Sequence, residues 1–236
     1  MQTEKLTLHS LTARAVTVPM ARPLGTSAQT IKDASLLLVD LKTREGVEGR
    51  AYAWCYLPGI ARSLVPVVTE LGEALTGMPL APQDLAQTVA KHFKLPGLAG
   101  PSMMVISSVD TAIWDALAIA SNMPLATLLG ASPRPIQAYN SNGLGLMPPD
   151  AAADEAEALL DGGFKGVKLR LGRAGGLTHD LPVVRAVRKR LPDHVHLMVD
   201  FNQALSFADA MRYGHALDGE GVYWIEEPIR HDDYHH

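Results

Sequence analysis

Residues 166–172 read GVKLRLG, an apolar run between glycines that carries two cations. A short apolar run bounded by turn residues is typical of a buried strand. Because side chains alternate across a strand, Lys168 and Arg170 point to the same side. Buried charges are costly unless they are paired or used. The stretch therefore predicts a strand that presents two cations to a partner or a ligand.

The composition predicts an ordinary soluble globular protein, because the 236 residues are 47% hydrophobic and 19% charged, with a formal net charge of −4. A nucleic-acid partner would favour a basic face, so we expect none. Cys55 is the only cysteine, which excludes an intrachain disulfide and fits a reducing compartment. The first ten residues lack a signal-peptide core, and no apolar run approaches the roughly 20 residues of a spanning helix. We therefore expect a cytoplasmic protein without a membrane partner.

The first half of the chain predicts a sheet followed by helices. Strand patterns lie at residues 6–19, 34–43 and 46–54, and helical patterns at residues 58–75, 82–93 and 102–120. Residues 20–30, rich in Gly, Pro, Ser and Thr, predict a mobile loop. This is an α+β arrangement, and it ends near residues 128–135.

Beyond Pro135, strand and helix patterns alternate strictly. Strands are predicted at residues 136–141, 166–172, 196–202 and 222–228, and helices at residues 148–163, 178–192 and 206–219. Such alternation predicts parallel βαβ units with four strands. The pattern fits a (β/α)8 barrel as well as an open doubly wound sheet. No Gly-rich phosphate loop follows the first strand, which weakens the nucleotide-binding version.

Three successive strands carry polar pairs near their C-terminal ends: Lys168 with Arg170, Asp200 with Asn202, and Trp224 with Glu226. In a parallel barrel, active sites lie at this end of the strands. Asp200 and Glu226 are separated by about one βα repeat, so their carboxylates should meet across neighbouring strands. Two hard oxygen ligands suit Mg²⁺, whereas the Cys/His spacing of zinc sites is absent.

Each of these signals also has a structural explanation. A strand lysine commonly lies at an edge or end and reaches water, and Asp followed by Asn commonly caps a helix or forms a turn. The EEP sequence at residues 226–228 could be an exposed strand terminus. Three signals in register, at the same end of consecutive strands, favour a site.

The stretches GVKLRLG, LMVDFNQ and GVYWIEEP, together with LLGASPRPIQAY, WDALAIASNMPLATLLG and WIEEPIRHDDY, resemble the enolase superfamily, and within it the mandelate racemase branch. The resemblance implies an α+β capping domain over residues 1–132, followed by a (β/α)8 TIM-type barrel. Residues 133–236 would hold the first four barrel strands. It also implies that a third metal ligand and a His–Asp pair lie beyond His236, so that a fragment ending there should be inactive.

In that family a Mg²⁺ at the barrel mouth binds the substrate carboxylate while a base removes the proton alpha to it. By resemblance, Asp200 is the first metal ligand and Glu226 the second. Lys168 matches the first lysine of the family's Lys-X-Lys motif, which binds and polarises the carboxylate. Arg170 stands where the second lysine, the base, would be. Since arginine stays charged, Arg170 is a poor base and a good carboxylate clamp.

Four further positions match substrate-contacting residues of the family. Ser141 and Asn202 match polar neighbours of the substrate or the metal, although a turn former and a helix cap are alternative roles. Trp54 and Tyr56 match the capping-domain loop that covers the substrate, although core packing is an alternative role. Residues 21–30 match the mobile flap.

The resemblance predicts a racemase or epimerase that acts on a hydroxy-carboxylate through an enediolate intermediate. A racemase needs a base on each face of the enediolate, so Arg170 counts against simple racemisation. An acid-sugar dehydratase with a single base is therefore an alternative, and a catalytically inactive fragment that serves as a binding or assembly partner is another. We expect a small-molecule carboxylate substrate, Mg²⁺ as cofactor, and a homo-oligomer.

Overall fold

The computed structural model describes residues 5–27 and 29–236. Residues 1–4 of the expected capping domain and Ala28 of the expected flap lie outside the described residues. The chain divides into two compact units. The first unit comprises Met1–Met20 and Asp33–Arg134, and the second comprises Ala21–Lys32 and Pro135–His236.

A three-stranded sheet is formed by β1 (Leu8–Gly25), β2 (Thr30–Thr43) and β3 (Glu48–Trp54), in the order β1-β2-β3. Strands β2 and β3 are antiparallel. The predicted loop at residues 20–30 is wrong in extent, because the two strands continue to Gly25 and Thr30. Strand pairing overrides the Gly- and Pro-rich composition here. The remaining turn is closed by the Thr26 amide, which donates to the Gln29 carbonyl at 3.0 Å.

The helices of the first unit are α1 (Pro58–Leu75), α2 (Pro82–His92), α3 (Pro101–Ala120) and the short α4 (Leu125–Leu128). Helices α1 to α3 each begin at a proline, whose fixed φ and missing N–H suit a first helical position. Helix α3 packs closely on β3 at Gly49. A Cβ at Gly49 would lie 2.0 Å from the Ala112 carbonyl oxygen, so only glycine permits this approach.

Helix α3 is long and apolar enough, by length and composition, to cross a membrane. The expectation that no apolar run approaches that length is therefore wrong for this segment. Its buried side chains, among them Val105, Val109 and Ile113, pack in the core of the first unit. The core helix of a soluble protein passes the same test of length and composition.

The second unit contains a parallel sheet of β4 (Gly166–Arg170), β5 (His196–Asp200) and β6 (Val222–Glu226), in the order β4-β5-β6. Its helices are α5 (Pro149–Ala158), α6 (Leu177–Arg190) and α7 (Phe207–Leu217). Strand and helix alternate as predicted. One face of the sheet buries a continuous core that includes Val167, Leu169, Leu197 and Val199.

The described residues of this unit form three strands rather than the predicted four. The segment at residues 136–141 is reduced to a single bridge between Asn140 and Val167. Two features of this segment oppose a longer strand. Pro135 has no N–H to donate to a ladder, and the side chain of Ile136 is 75% exposed, so burial does not hold the segment extended.

Candidate active site

The candidate site is built where the parallel strands end. Register pairs Arg170 with Asp200 and Asp200 with Glu226, so these three residues lie side by side at the C-terminal ends of β4, β5 and β6. Lys168 lies two residues earlier on β4, on the same face. Its Nζ reaches Asp200 Oδ2 at 3.1 Å and Glu226 Oε1 at 2.6 Å. Three strands thus contribute to one cluster of charges.

Lys168 is buried within this cluster, with 7% of the residue exposed. Burial acts to lower the pKa of Lys168, but hydrogen bonds to Glu226 and Asp200 and their negative charges outweigh it, so the net pKa is raised. The side chain is therefore an ammonium ion at neutral pH. In this arrangement Lys168 is a buried cation paired with both acids.

Arg170 points to the same side as Lys168 but has a different partner. Its Nη1 donates to the Gly143 carbonyl at 2.6 Å. Its Nε is buried and has no hydrogen-bond partner among residues 5–27 and 29–236. Burial lowers the pKa of Arg170, opposed by the charges of Asp200 and Glu226, yet a guanidinium stays charged at neutral pH. An orphaned buried donor is costly, so Arg170 is prepared to donate to an anionic ligand.

The loop that precedes α5 runs beside β4 and carries Ser141, next to the residue that bridges to Val167. The Leu144 carbonyl accepts from the Arg170 amide at 2.9 Å, and the Leu144 amide donates to Glu155 Oε2 at 3.2 Å. A Cβ at Gly143 would lie 2.6 Å from Glu155 Oε1, so a larger residue there would displace the Glu155 carboxylate. Ser141 is half-buried between the bridge residue Asn140 and this anchored turn.

Asn202 lies directly beyond Asp200, and its amide donates to Asp200 Oδ1 at 2.8 Å. Its side-chain Oδ1 is buried without a hydrogen-bond partner in the described part of the chain. The backbone is left-handed at Asn202, Gln203 and Glu227, with φ of 46°, 64° and 43°. Left-handed non-glycine residues cost energy and cluster at functional sites. The ends of β5 and β6 both show this feature.

The turn between β1 and β2 rests on these strand ends. The Ser27 hydroxyl donates to the Phe201 carbonyl at 3.0 Å, and the Asn202 carbonyl lies 3.4 Å from it. The sequence matched residues 21–30 to a flap but did not single out Ser27, Gly143 or Glu155. These contacts join residues distant in the chain, and no local pattern marks them.

Trp54 and Tyr56 belong to the first unit. Their rings meet edge-on, with centroids 6.0 Å apart. Tyr56 is exposed and has a left-handed backbone with φ of 57°. The Trp54 indole N–H is buried without a partner among the described residues, so it is an available donor.

The two carboxylates at the strand ends, those of Asp200 and Glu226, could provide two of the ligands of a Mg²⁺ ion. Residues 5–27 and 29–236 contain no group of three or more His, Cys, Asp and Glu that could hold a metal. Mg²⁺ commonly takes only one or two carboxylates and completes its shell with water and substrate oxygens. Asp200 and Glu226 supply hard oxygens on adjacent strands at the same register, and each oxygen has a second lone pair beyond the bonds described above.

The chain is similar in sequence to proteins of a known family. Residues 9–130 match the model of the mandelate racemase / muconate lactonizing enzyme N-terminal domain, and residues 151–236 match the enolase C-terminal domain-like model. The L-talarate/galactarate dehydratase of Salmonella typhimurium is 29% identical over 219 residues, which cover 91% of this chain and 54% of the dehydratase. Other relatives are named as a cycloisomerase and as a hydrophobic dipeptide epimerase.

Two solved structures share the fold closely. An enolase from alpha proteobacterium bal199, with bound magnesium, has a TM-score of 0.90 and 44% identity, and the match covers 97% of this chain and 64% of that one. A Bradyrhizobium enolase complexed with magnesium and mandelic acid has a TM-score of 0.90 and 35% identity, with 99% and 64% covered.

The chain thus spans between 54% and 64% of the lengths of these three proteins. Both domain models match in the order expected for a capping domain and part of a barrel domain. The chain belongs to the mandelate racemase / muconate lactonizing enzyme family of the enolase superfamily.

Proposed function

We propose that the protein catalyses Mg²⁺-dependent abstraction of the alpha proton of a hydroxy-carboxylate through an enediolate intermediate, as a racemase or epimerase. The observation that carries this proposal is the convergence of Lys168, Asp200 and Glu226 at the ends of three adjacent strands. The Bradyrhizobium relative, complexed with magnesium and mandelic acid, supports both the metal and the substrate class.

In this proposal Asp200 and Glu226 hold Mg²⁺, which when bound supplies positive charge beside the substrate carboxylate. Lys168 and Arg170 donate to the carboxylate oxygens through the ammonium and the unpartnered Nε–H. When the alpha proton is transferred to a general base, which in this proposal is neither Lys168 nor Arg170, negative charge grows on those oxygens. Fixed buried cations stabilise that charge more than they stabilise the ground state, which lowers the barrier.

The protonation of the two cations favours a second candidate, an acid-sugar dehydratase. Lys168 is held as an ammonium and Arg170 stays charged, so neither is prepared to accept a proton at neutral pH. A racemase needs proton transfer on both faces of the intermediate, whereas a dehydratase can use one base to remove the proton and then assist the leaving hydroxyl. The relationship to L-talarate/galactarate dehydratase supports this candidate.

We also propose which residues contact the substrate. Ser141 and Asn202 contribute hydroxyl and amide groups beside the metal site. On the family resemblance alone, we propose that Trp54 and Tyr56, in a capping domain of residues 1–132, are substrate-contacting residues. Residues 133–236 then belong to a TIM-type barrel. We also propose a cytoplasmic homo-oligomer, a location supported by the single cysteine being buried and unpaired.

Isotope exchange tests the proposal. The protein, expressed from its complete reading frame, is incubated in D₂O with Mg²⁺ and a library of 2-hydroxy acids and acid sugars that includes mandelate. We expect by NMR either deuterium at C2 of at least one recovered acid or a 2-keto-3-deoxy product that carries solvent deuterium at C3. Inversion at C2 identifies a racemase or epimerase, and a 2-keto-3-deoxy product identifies a dehydratase.

Two variants control this experiment. Lys168→Met should abolish exchange, whereas Lys189→Met, at an exposed position of α6, should leave it unchanged. Absence of both C2 deuterium and a 2-keto-3-deoxy product with every acid and the wild-type protein would contradict the proposal and support the alternative of a catalytically inactive partner protein.

A further inference from the structure

A buried acid–phenol pair lies just beyond the strand that carries the two cations. Asp180, on α6, is 1% exposed. Its Oδ2 accepts two hydrogen bonds, from the Tyr213 hydroxyl at 2.7 Å and from the Gly172 amide at 2.9 Å. Tyr213 is on α7 and is also buried. The roles proposed above leave this pair without a function.

The pair is buried and hydrogen-bonded. Burial, and then the bond to Asp180, raise the pKa of Tyr213, so the phenol stays a neutral donor throughout the neutral range. A buried carboxylate is tolerated only when donors satisfy it, and these two donors come from different elements. Losing either donor leaves the charge of Asp180 less well compensated.

The two donors connect the pair to β4, which carries the two cations, and to β5, which carries Asp200. Gly172 follows Arg170 by two residues, and the Tyr213 ring packs edge-on against Phe201, the residue after Asp200, with centroids 4.8 Å apart. Between them, the Leu171 amide donates to the Asp200 carbonyl at 2.9 Å.

The chain passes through Gly172 with little freedom. Its φ of 96° is left-handed, and a Cβ there would lie 2.9 Å from the Ala204 Cβ. The exit of β4 is therefore fixed by a backbone conformation, by a close contact and by the bond to Asp180.

We propose that Asp180 and Tyr213 are positioning residues that fix the C-terminal ends of β4 and β5 and so set the placement of Arg170 against Asp200. This inference rests on the proposed function. In this proposal Asp180 acts through Gly172, and Tyr213 acts through Asp180 and Phe201. Partners that orient ligating groups commonly change metal affinity by about 10- to 100-fold when removed.

The test compares three variants of the full protein. Tyr213→Phe keeps the ring and its packing but removes the donor. Asp180→Asn keeps an oxygen that can accept both bonds. Leu217→Ala is the matched control, because Leu217 is buried on the same helix, α7, but makes no bond to Asp180. Two readouts are used: hydrogen exchange of the segment at residues 166–176, and Mg²⁺ affinity by calorimetry.

We expect Tyr213→Phe to accelerate exchange in this segment and to weaken Mg²⁺ binding by about tenfold. In Asp180→Asn both the exchange rate and the Mg²⁺ affinity should be closer to those of the wild type. Leu217→Ala should not change the exchange of residues 166–176 more than that of other segments, and it should leave the Mg²⁺ affinity unchanged. Unchanged exchange in Tyr213→Phe, or a Mg²⁺ affinity equal to that of Leu217→Ala, would overturn the inference. If wild-type protein binds no Mg²⁺, the proposed function fails, and the exchange readout still decides whether the pair fixes the strand end.

Discussion

Replacing Lys168 with methionine removes a cation that contacts both acids of the cluster. Methionine has a similar length and fits apolar surroundings, so the change isolates the charge from the packing. Asp200 is 2% exposed and loses its ammonium partner, while the side chain of Glu226 is 34% exposed and regains some hydration. Arg170 remains as a nearby positive charge.

The expected loss follows from these facts. Breaking a buried ion pair by removing one partner costs about 3–5 kcal/mol of unfolding free energy. The Glu226 contact is discounted for solvent screening, and Arg170 compensates in part, so we expect about 2–3 kcal/mol for Lys168→Met. Urea unfolding measures this loss, with Lys189→Met as the control, for which no loss is expected.

Magnesium gives the same variant a second readout. Without Lys168 the two carboxylates repel each other, so Mg²⁺ should stabilise Lys168→Met more than it stabilises the wild type. At one hundred times its dissociation constant, a ligand adds about 2.7 kcal/mol of unfolding free energy. A loss below about 1 kcal/mol, or one equal to that of Lys189→Met, would refute the buried ion pairs on which this reasoning depends.

Three further outcomes are expected. The pKa of Tyr213 is raised in the folded state, so the phenol contributes its full share of the unfolding free energy below the unfolded pKa of about 10. That share is lost as the pH rises toward the folded pKa. Tyr213→Phe should therefore show a smaller fall in unfolding free energy at alkaline pH, as measured by urea unfolding. Gly49→Ala should lower the unfolding free energy by about 3 kcal/mol or prevent folding, because its Cβ meets the backbone of α3. Its control, Gly59→Ala, has open space around the new Cβ and should stabilise α1 by about 0.5 kcal/mol. Gly143→Ala should displace the Glu155 carboxylate, weaken the bond that it accepts from the Leu144 amide, and cost about 1 kcal/mol; an unchanged unfolding midpoint would contradict that contact.

The sequence pattern was most informative where the structure is periodic. Alternating strand and helix segments predicted parallel pairing of β4 to β6, and the i, i+2 rule placed Lys168 and Arg170 on one face. The bridge at Asn140 shows the limit of that logic. Residues 136–141 have a strand pattern, yet the segment makes one bridge, because exposed side chains and a preceding proline do not sustain a ladder.

Partners distant in the chain were beyond local patterns. Nothing near Arg170 indicates that it binds the Gly143 carbonyl while Lys168, two residues away, binds the acids. Asp180 and Tyr213 likewise belong to two helical patterns, and only the packing of α6 and α7 makes them a pair. These contacts depend on tertiary structure, which short-range sequence reasoning does not determine.

Calorimetric titration of Mg²⁺ tests the central claim most directly, namely that the acids at the strand ends form a metal site. The wild-type protein is compared with Asp200→Asn, which keeps the shape of the side chain but removes its charge, and with Asp154→Asn, at an exposed position of α5. We predict Mg²⁺ binding in the wild type, an affinity weakened at least about tenfold in Asp200→Asn, and no change in Asp154→Asn. Equal Mg²⁺ affinity in Asp200→Asn and the wild type would contradict the account.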